Sequence, residues 1–286
     1  MHASLIGPAI FAIQQLLFQR ALQPSREAVS PTLRAKDVAV AHSDVVADIR
    51  RKLEERGVSL PASHFADVDV ELARYAITVG LLSAQTAADS DNHYRAKVVE
   101  AAAARAQATA EWLLSHSFMP EEQLGKWASV VHWSDDDADG HPVLVVHLEA
   151  ALQQDAAGAA SAAEAILSHM EAALRRHFDN NPSSPEQLVV VLDSRGASTL
   201  QFRRLVRTIQ SIAVTLNRHY PARLHRLYLV NAPVIVHLPV RAIKALLHPS
   251  TSSKIIICDL EDPRLPVDLD YDSASSIHQT AEAAPP

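Results

Sequence analysis

The chain of 286 residues has little cysteine and little glycine. Its one cysteine, Cys258, excludes an internal disulfide framework and any zinc module built on several cysteines. Its seven glycines leave no G-x-G-x-x-G motif, no phosphate-binding loop and no G-x-S-x-G elbow. Three common classes of enzyme therefore lack their usual fingerprint in this sequence.

Long hydrophobic runs are also absent. No stretch approaches the roughly 20 apolar residues that span a bilayer, and the nearest, residues 4–18, is interrupted by Gly7, Pro8 and two glutamines. Basic residues follow it, and Glu27 is the first acidic residue. Three interpretations stay open: an organelle-targeting peptide, an amphipathic helix lying on a membrane, and a helix docked on the domain.

Acidic residues are missing from one long segment. The net charge of the chain is −7, which argues against a general nucleic-acid binder. Residues 194–258 nevertheless hold ten basic residues and no acidic one, so subtracting this +10 leaves −17 for the rest. We call residues 194–258 the basic segment. Two interpretations of the basic segment stay open. It forms a surface that binds anionic lipid headgroups or an anionic ligand, or it forms a solvated face that makes ion pairs with the acidic rest of the chain.

The composition, 48% hydrophobic and 21% charged residues, is typical of a soluble globular protein. Four regions can be separated: an apolar segment and linker over 1–43, a helical segment over 44–119, an α/β region over 120–272 and a disordered tail over 273–286. In the helical segment, apolar residues at 3–4 spacing predict a helix that starts at Ser43 or Asp44 and ends near Gly57. Two more helices are predicted, over 72–82 and 94–114.

Strand and helix patterns alternate after residue 120. Such alternation is the signature of an α/β fold with a mostly parallel sheet and right-handed crossovers. The predicted strands are 143–148, 188–192, 224–230 and 255–258, and the predicted helices are 156–178, 199–216 and 239–247.

Candidate metal ligands are few in the sequence. Residues 135–140 imitate the start of a calcium loop, but Val146 stands where the bidentate Glu is needed and Pro142 interrupts the loop. A solvated acidic turn is the favoured interpretation. Fifteen histidines form no H-E-x-x-H motif and no tight ligand set. No metal site is predicted, and three histidines close to prolines are predicted as turn residues: His141, His219 and His225.

Asp193 and Ser194 follow the central strand, where an α/β enzyme often places catalytic groups. A hydrolase serine stands on a strained elbow with a glycine two residues before it, and Ser194 has none. We expect no catalytic residue and no cofactor.

Four motifs occur between residues 139 and 255. They are D-G-H-P-V at 139–143, V-L-D-S-R-G at 191–196, Y-P-A-R-L-H-R-L-Y-L-V-N-A-P at 220–233 and L-H-P-S-T-S-S-K-I at 247–255. In this order they resemble the CRAL-TRIO lipid-binding family, and the resemblance covers roughly residues 120–270. Its specific part is the Tyr-Pro…Asn-Ala-Pro block with Pro-x-Thr-x-x-Lys about twenty residues later.

The resemblance implies a fold and a site. The family fold is a sheet floor with helices behind it, and an apolar pocket that an amphipathic gate helix covers. Here the gate helix would be residues 239–247, with Arg241 and Lys244 as membrane contacts. The ligand-binding residues that the resemblance implies are Ser198, Tyr228, Val240, Ile243, Leu246, Leu247 and Lys254.

Two departures concern the headgroup of the lipid. Phosphoinositide-binding members carry a Glu where this chain has Ala222, and a second Arg where it has Ile77. Phosphoinositide-binding members also carry a Lys at the headgroup site, and Lys254 matches it. The resemblance therefore implies a hydrophobic ligand, with phosphatidylinositol binding in doubt.

The sequence predicts a non-enzymatic protein that binds, and transfers or presents, a phospholipid or an isoprenoid-type lipid. A diverged domain that docks a protein or membrane without transfer is the main alternative, and an α/β hydrolase-like enzyme is a weaker one. We expect a cytoplasmic monomer with transient attachment to a membrane surface, an anionic one included, and no nucleic-acid partner.

Overall fold

The structure, a computed structural model, describes residues 34–61, 67–82, 92–155, 160–173, 186–196, 212–232, 244 and 252–266. The predicted apolar segment over residues 4–18, the tail from residue 273 and the predicted gate helix, apart from Lys244, lie outside the described residues.

Four helices form the first part of the described chain. They are α1 (Ala35–Ala41), α2 (Ser43–Glu55), α3 (Val68–Thr78) and α4 (Asn92–Ser115). Helix α2 starts within one or two residues of the predicted position, with His42 and not Ser43 or Asp44 at its N-cap. Gly57 follows its end with φ of +67°, a backbone conformation that glycine adopts without strain. Helix α1 was not predicted, because the linker assigned to residues 1–43 includes it.

The four helices share one apolar core. Helix α2 presents a stripe of Val45, Val46, Ile49 and Leu53, and α3 is buried over most of its length. Helix α4 contributes small side chains, chiefly alanines, which let neighbouring helices approach closely. The side chain of Asp67 caps α3 by accepting hydrogen bonds from the backbone N–H groups of Asp69 (3.0 Å) and Val70 (3.2 Å).

The described residues form one five-stranded sheet. Its strands are β1 (Val131–Ser134), β2 (Val143–His147), β3 (Leu188–Asp193), β4 (Leu224–Val230) and β5 (Ile255–Cys258), and their order in space equals their order in the chain. Strand β1 is antiparallel to β2, and all other pairs are parallel. The predicted α/β fold with a mostly parallel sheet is confirmed. Strand β1 was missed because its four residues alternate between apolar and polar over too short a length.

The helices of this region are α5 (Glu121–Leu124), a 3₁₀ turn (Gly125–Trp127), α6 (Leu148–Asp155), α7 (Ala160–Ala173) and helical residues 212–219. The helix predicted over 156–178 includes α7, and both of its predicted ends lie outside the described residues. Helix α6 was not predicted, because it begins at Leu148 immediately after β2, with no turn residue between them to signal the change. Among the described helices, none is both long and apolar enough to cross a membrane.

The two faces of the sheet have different neighbours. On one face, Leu188, Val190 and Leu192 of β3 pack with Ile166 and other side chains of α7. Residues 212–219 pack on the same face. Strands in sequential order with right-handed crossovers place their connecting helices on one face, and these contacts agree with that rule. The opposite face is described below.

Candidate ligand site

The face of the sheet opposite α7 is apolar and buried. On β3, Val189 and Val191 point to this face because side chains alternate along a strand. We call this surface the valine face. Its buried members are Val143, Val145, Val189, Val191, Tyr228, Val230 and Cys258, and Ile256, Leu260 and Leu265 pack against them.

Tyr228, which the sequence analysis expected to bind the ligand, lies on the valine face, and its role toward a ligand stays a prediction. The Tyr228 side chain is 2% exposed, and its hydroxyl accepts a hydrogen bond of 3.3 Å from Nη1 of Arg226. Burial raises the pKa of the Cys258 thiol at the end of β5. The valine face is therefore largely uncharged.

Two predicted lysines make backbone contacts. Nζ of Lys254 donates to the carbonyl oxygen of Leu224 at 2.6 Å, and burial lowers its pKa. Nζ of Lys244 donates to the carbonyl oxygen of Ile255 at 2.9 Å. Both ammonium groups therefore satisfy backbone carbonyls of the sheet, and their roles toward ligand and membrane stay predictions. The other predicted site residues lie outside the described residues: Ser198, Val240, Arg241, Ile243, Leu246 and Leu247.

A charged group stands at the carboxyl end of β3. The Asp193 carboxylate accepts hydrogen bonds from Arg195, the shortest 2.7 Å long, and lies 3.3 Å from Nδ1 of His147. Burial acts to raise the pKa of Asp193, but the contacts with His147 and Arg195 outweigh it and hold this pKa far below its usual range. Asp193 is thus a permanent anion in an ion pair.

Ser194 has no catalytic geometry in the structure. It is 2% exposed, and its Oγ donates a hydrogen bond of 2.5 Å to the carbonyl oxygen of Val230. A nucleophilic serine needs a base as the partner of its hydroxyl. This contact gives the enzyme alternative no support.

A buried ionic network joins the helical segment to the sheet. Arg74 of α3 is 2% exposed, and its guanidinium lies 2.7 Å from Glu186 and 3.3 Å from Glu71. Arg223 also pairs with Glu71. Burial, and then the positive charge of Arg223, lower the pKa of Arg74 to about 10. Two arginines and two glutamates therefore neutralise one another.

The network surrounds the position where the resemblance noted a lost glutamate. The carbonyl oxygen of Ala222 accepts hydrogen bonds from Arg74 (3.3 Å) and from Gln187 (3.0 Å), and Ala222 has φ of +57°. The sequence analysis missed Glu71 and Glu186 as partners of Arg74, and Arg223 as a second partner of Glu71. Glu186 and Arg74 are separated by 112 residues, so no local spacing could have signalled the contact.

A cleft with a volume of about 540 Å³ lies beside the end of β5. Its lining is mostly polar, with Asp259, Glu261, Asp262 and Arg264 among the contributing residues. It differs in character from the apolar pocket that the resemblance implies, so we do not assign the lipid to it.

Comparison with known proteins agrees with the geometry. The sequence model of the CRAL/TRIO domain matches residues 126–269. The crystal structure of Sfh5, a Sec14-like yeast protein, is similar with a TM-score of 0.52 at 15% identity, covering 79% of this chain and 80% of that chain. At this identity the likeness shows the fold alone. No curated protein matches the chain. The chain belongs to the CRAL/TRIO domain family, a family of lipid-binding and lipid-transfer proteins.

Proposed function

We propose that the chain binds a single lipid with its apolar part against the valine face, and transfers or presents it at a membrane. The observation that carries this proposal is the second apolar face of the sheet, opposite the face that α7 covers. In a parallel sheet both faces are buried. Membership of a lipid-binding family gives a reason for the second face to hold a ligand.

The energetics favour an apolar chain at this surface. Each CH₂ group kept out of water contributes about 0.8 kcal/mol, so a dry apolar pocket can compete with a bilayer for an acyl or isoprenoid chain. The residues of the valine face offer this environment because most are β-branched and uncharged. Residues 239–247 are proposed as the gate helix that closes the pocket in solution.

The headgroup is proposed to lack a phosphorylated inositol. A phosphate near Arg74 and Arg223 would have to displace Glu71 and Glu186, which already neutralise both guanidinium groups in a buried position. Removing one member of a buried charge pair is strongly unfavourable. Ala222 and Ile77 take the place of two further charged groups.

We propose a cytoplasmic monomer that attaches to membranes peripherally, has no catalytic activity and binds no nucleic acid. The rival function is an interaction module in which protein side chains fill the space above the valine face. The two functions differ in whether that space holds a lipid or protein side chains. A matched pair of substitutions on β3 can distinguish them.

The test uses Val191→Phe on the valine face and Val190→Phe on the opposite face, both in the full chain. Each position is buried, with exposures of 0% and 7%. Val190→Phe overpacks a protein core, so we expect a loss of about 1–3 kcal/mol in the free energy of unfolding. Val191→Phe adds the same bulk on the valine face, so it should lower lipid uptake more than Val190→Phe does at a comparable loss of stability.

Lipid content is measured by native mass spectrometry after incubation with vesicles of phosphatidylcholine and with vesicles that also contain an isoprenoid lipid. Stability is measured by urea unfolding. Absence of lipid in the wild-type chain, or equal lipid uptake by the two variants, would favour the interaction module and sink the transfer function.

A further inference from the structure

A second polar cluster lies at the amino end of the parallel strands, away from Asp193. It contains Asp137, Asp139 and His141 from the turn between β1 and β2, and His225 from β4. One nitrogen or oxygen atom from each side chain can be chosen so that all four lie within 4.8 Å of one another. The sequence analysis treated the turn and His225 separately, because 84 residues separate His141 from His225.

An irregularity in β4 accompanies the position of His225. The register pairs Leu188 with Leu224 and Val189 with Arg226, so His225 is an additional residue without a partner on β3. Such bulges redirect a side chain and are common beside functional sites. The His225 ring lies on the His141 ring, with centroids 3.9 Å apart and planes at 18°.

The turn holds its carboxylate in a fixed position. Oδ1 of Asp137 accepts hydrogen bonds from the backbone N–H groups of Asp139 (3.0 Å) and His141 (2.7 Å). Both oxygens of Asp137 lie 3.1 Å from Nδ1 of His141, and these two side chains are only 11% and 13% exposed. Gly140, with φ of +81°, allows the tight turn. The hydrogen bonds to Oδ1 orient the carboxylate as outer partners orient metal ligands.

We propose that Asp137, Asp139, His141 and His225 bind a divalent transition-metal ion of the zinc class. Imidazole nitrogens and carboxylate oxygens are zinc ligands at about 2.0–2.2 Å, and two carboxylates balance a charge of +2. Neighbouring ligand atoms around a tetrahedral ion of that size lie about 3.3 Å apart. The four ligand atoms, which lie within 4.8 Å of one another in the structure, must therefore move closer together when the ion binds. The exposed Asp139 has freedom to move inward.

The ion would give the fold a cross-link. Strand β3 lies between β2 and β4, so a metal held by the turn before β2 and by His225 spans the amino end of three strands. This role differs from the proposed lipid site, because it involves the amino end of the strands and no residue of the valine face. The metal site and the lipid function can therefore be tested separately.

The experiment is a titration of the chelator-treated full chain with Co²⁺, followed by visible absorption, and then with Zn²⁺ to displace the cobalt. Two variants remove ligands: His225→Gln, and Asp139→Asn at an exposed position that cannot compromise the core. The matched control is His116→Gln. His116 lies 3.1 Å from Glu164 but belongs to no group of three or more such ligands among the described residues.

We expect one equivalent of Co²⁺ to bind the wild-type chain and the control alike, with displacement by Zn²⁺. Each ligand variant should raise the dissociation constant at least tenfold. Should His225→Gln fail to fold, as judged by circular dichroism, Asp139→Asn decides alone. Wild-type affinity in the folded ligand variants, or the same loss of affinity in His116→Gln, would overturn the proposal.

Discussion

The guanidinium of Arg74 in α3 lies 2.7 Å from the carboxylate of Glu186, which lies two residues before the start of β3 and 112 positions further along the chain. The same carboxylate accepts hydrogen bonds from the backbone N–H groups of Ala35 (2.9 Å) and Lys36 (3.1 Å) at the start of α1. A single side chain thus holds α1, α3 and the sheet together, and its negative charge suits the amino end of α1.

We predict that Glu186→Gln lowers the free energy of unfolding by about 3 kcal/mol, because it leaves the Arg74 charge buried with less compensation. The matched control is Asp69→Asn, which breaks the Arg50–Asp69 pair, where both side chains are about half exposed. That change should cost less than about 1 kcal/mol. Urea unfolding at pH 7 measures both, and equal losses would contradict the structural role of Glu186.

We predict that His219 makes the protein less stable in mild acid. It is 8% exposed and stacks on Trp112, with ring centroids 4.3 Å apart, and its Nδ1 lies 3.0 Å from Oγ1 of Thr109. Burial, and then the positive charge of Arg218, lower the pKa of His219 to about 4 from the ordinary 6.5. The unfolded chain therefore binds a proton more readily than the folded chain between pH 6.5 and 4.

The stability that the neutral His219 provides is complete above pH 6.5 and decreases as the pH falls toward 4. At pH 5 we expect the loss from this residue to be about 2 kcal/mol relative to pH 7.5. His219→Gln should remove that share of the pH dependence, while the partly buried His225, with its pKa lowered to about 4, retains its own. Urea unfolding at the two pH values gives the slopes, and parallel slopes for variant and wild type would refute the assignment.

Strands were the part of the fold that local pattern could predict. Strands β4 and β5 have the predicted bounds because their apolar runs lie between turn residues, and the chain order of strands and helices is enough to predict a parallel sheet. Strand β1 was missed because an alternating pattern of four residues is too short, and helix α6 was missed because no turn residue separates it from β2.

The polar sites could not be predicted in the same way. The contact of Arg74 with Glu186 and the stacking of His141 on His225 join residues that are far apart in sequence, and only the packing of the sheet brings them together. The family motifs did indicate the valine face, since they include β3 and β4. They contained no signal for Glu71 or Glu186, whose charges decide what the arginines can bind.

The turn after β3 requires a left-handed backbone conformation at Gly196. Its φ is +74°, and a Cβ built there would lie 1.8 Å from Oε2 of Glu149. Gly196→Ala should cost about 1–2 kcal/mol from the left-handed backbone alone. The Glu149 carboxylate can swing aside, so adding Glu149→Ala should not restore stability.

Gly125→Ala is the control for that variant, because Gly125 has a helical φ of −56° and a Cβ there meets nothing within 4 Å. It should be neutral or stabilising by up to about 1 kcal/mol, since alanine reduces the entropy of the unfolded chain. Thermal or urea unfolding of the three variants tests both statements. Recovery of wild-type stability in the double variant would show that the clash, and not the backbone, was decisive.

The basic segment predicts salt-sensitive binding to anionic vesicles, and the structure narrows which of its charges can take part. Arg195 pairs with Asp193 and Arg223 pairs with Glu71, so these two charges are already compensated within the chain. Arg241, in the predicted gate helix, lies outside the described residues. Near an anionic surface a free basic residue contributes about 1 kcal/mol, and this attraction decays over about 8 Å at physiological salt.

We therefore expect Arg241→Ala to weaken binding to vesicles containing phosphatidylserine about fivefold, with the difference disappearing at high salt. Arg195→Ala is the matched control, because it removes the same charge from a residue engaged with Asp193, and it should leave vesicle binding within about twofold. Sedimentation with anionic and neutral vesicles at two salt concentrations measures both. Equal binding to the two kinds of vesicle would restrict the basic segment to internal ion pairs, and the gate helix would then have no electrostatic part in docking.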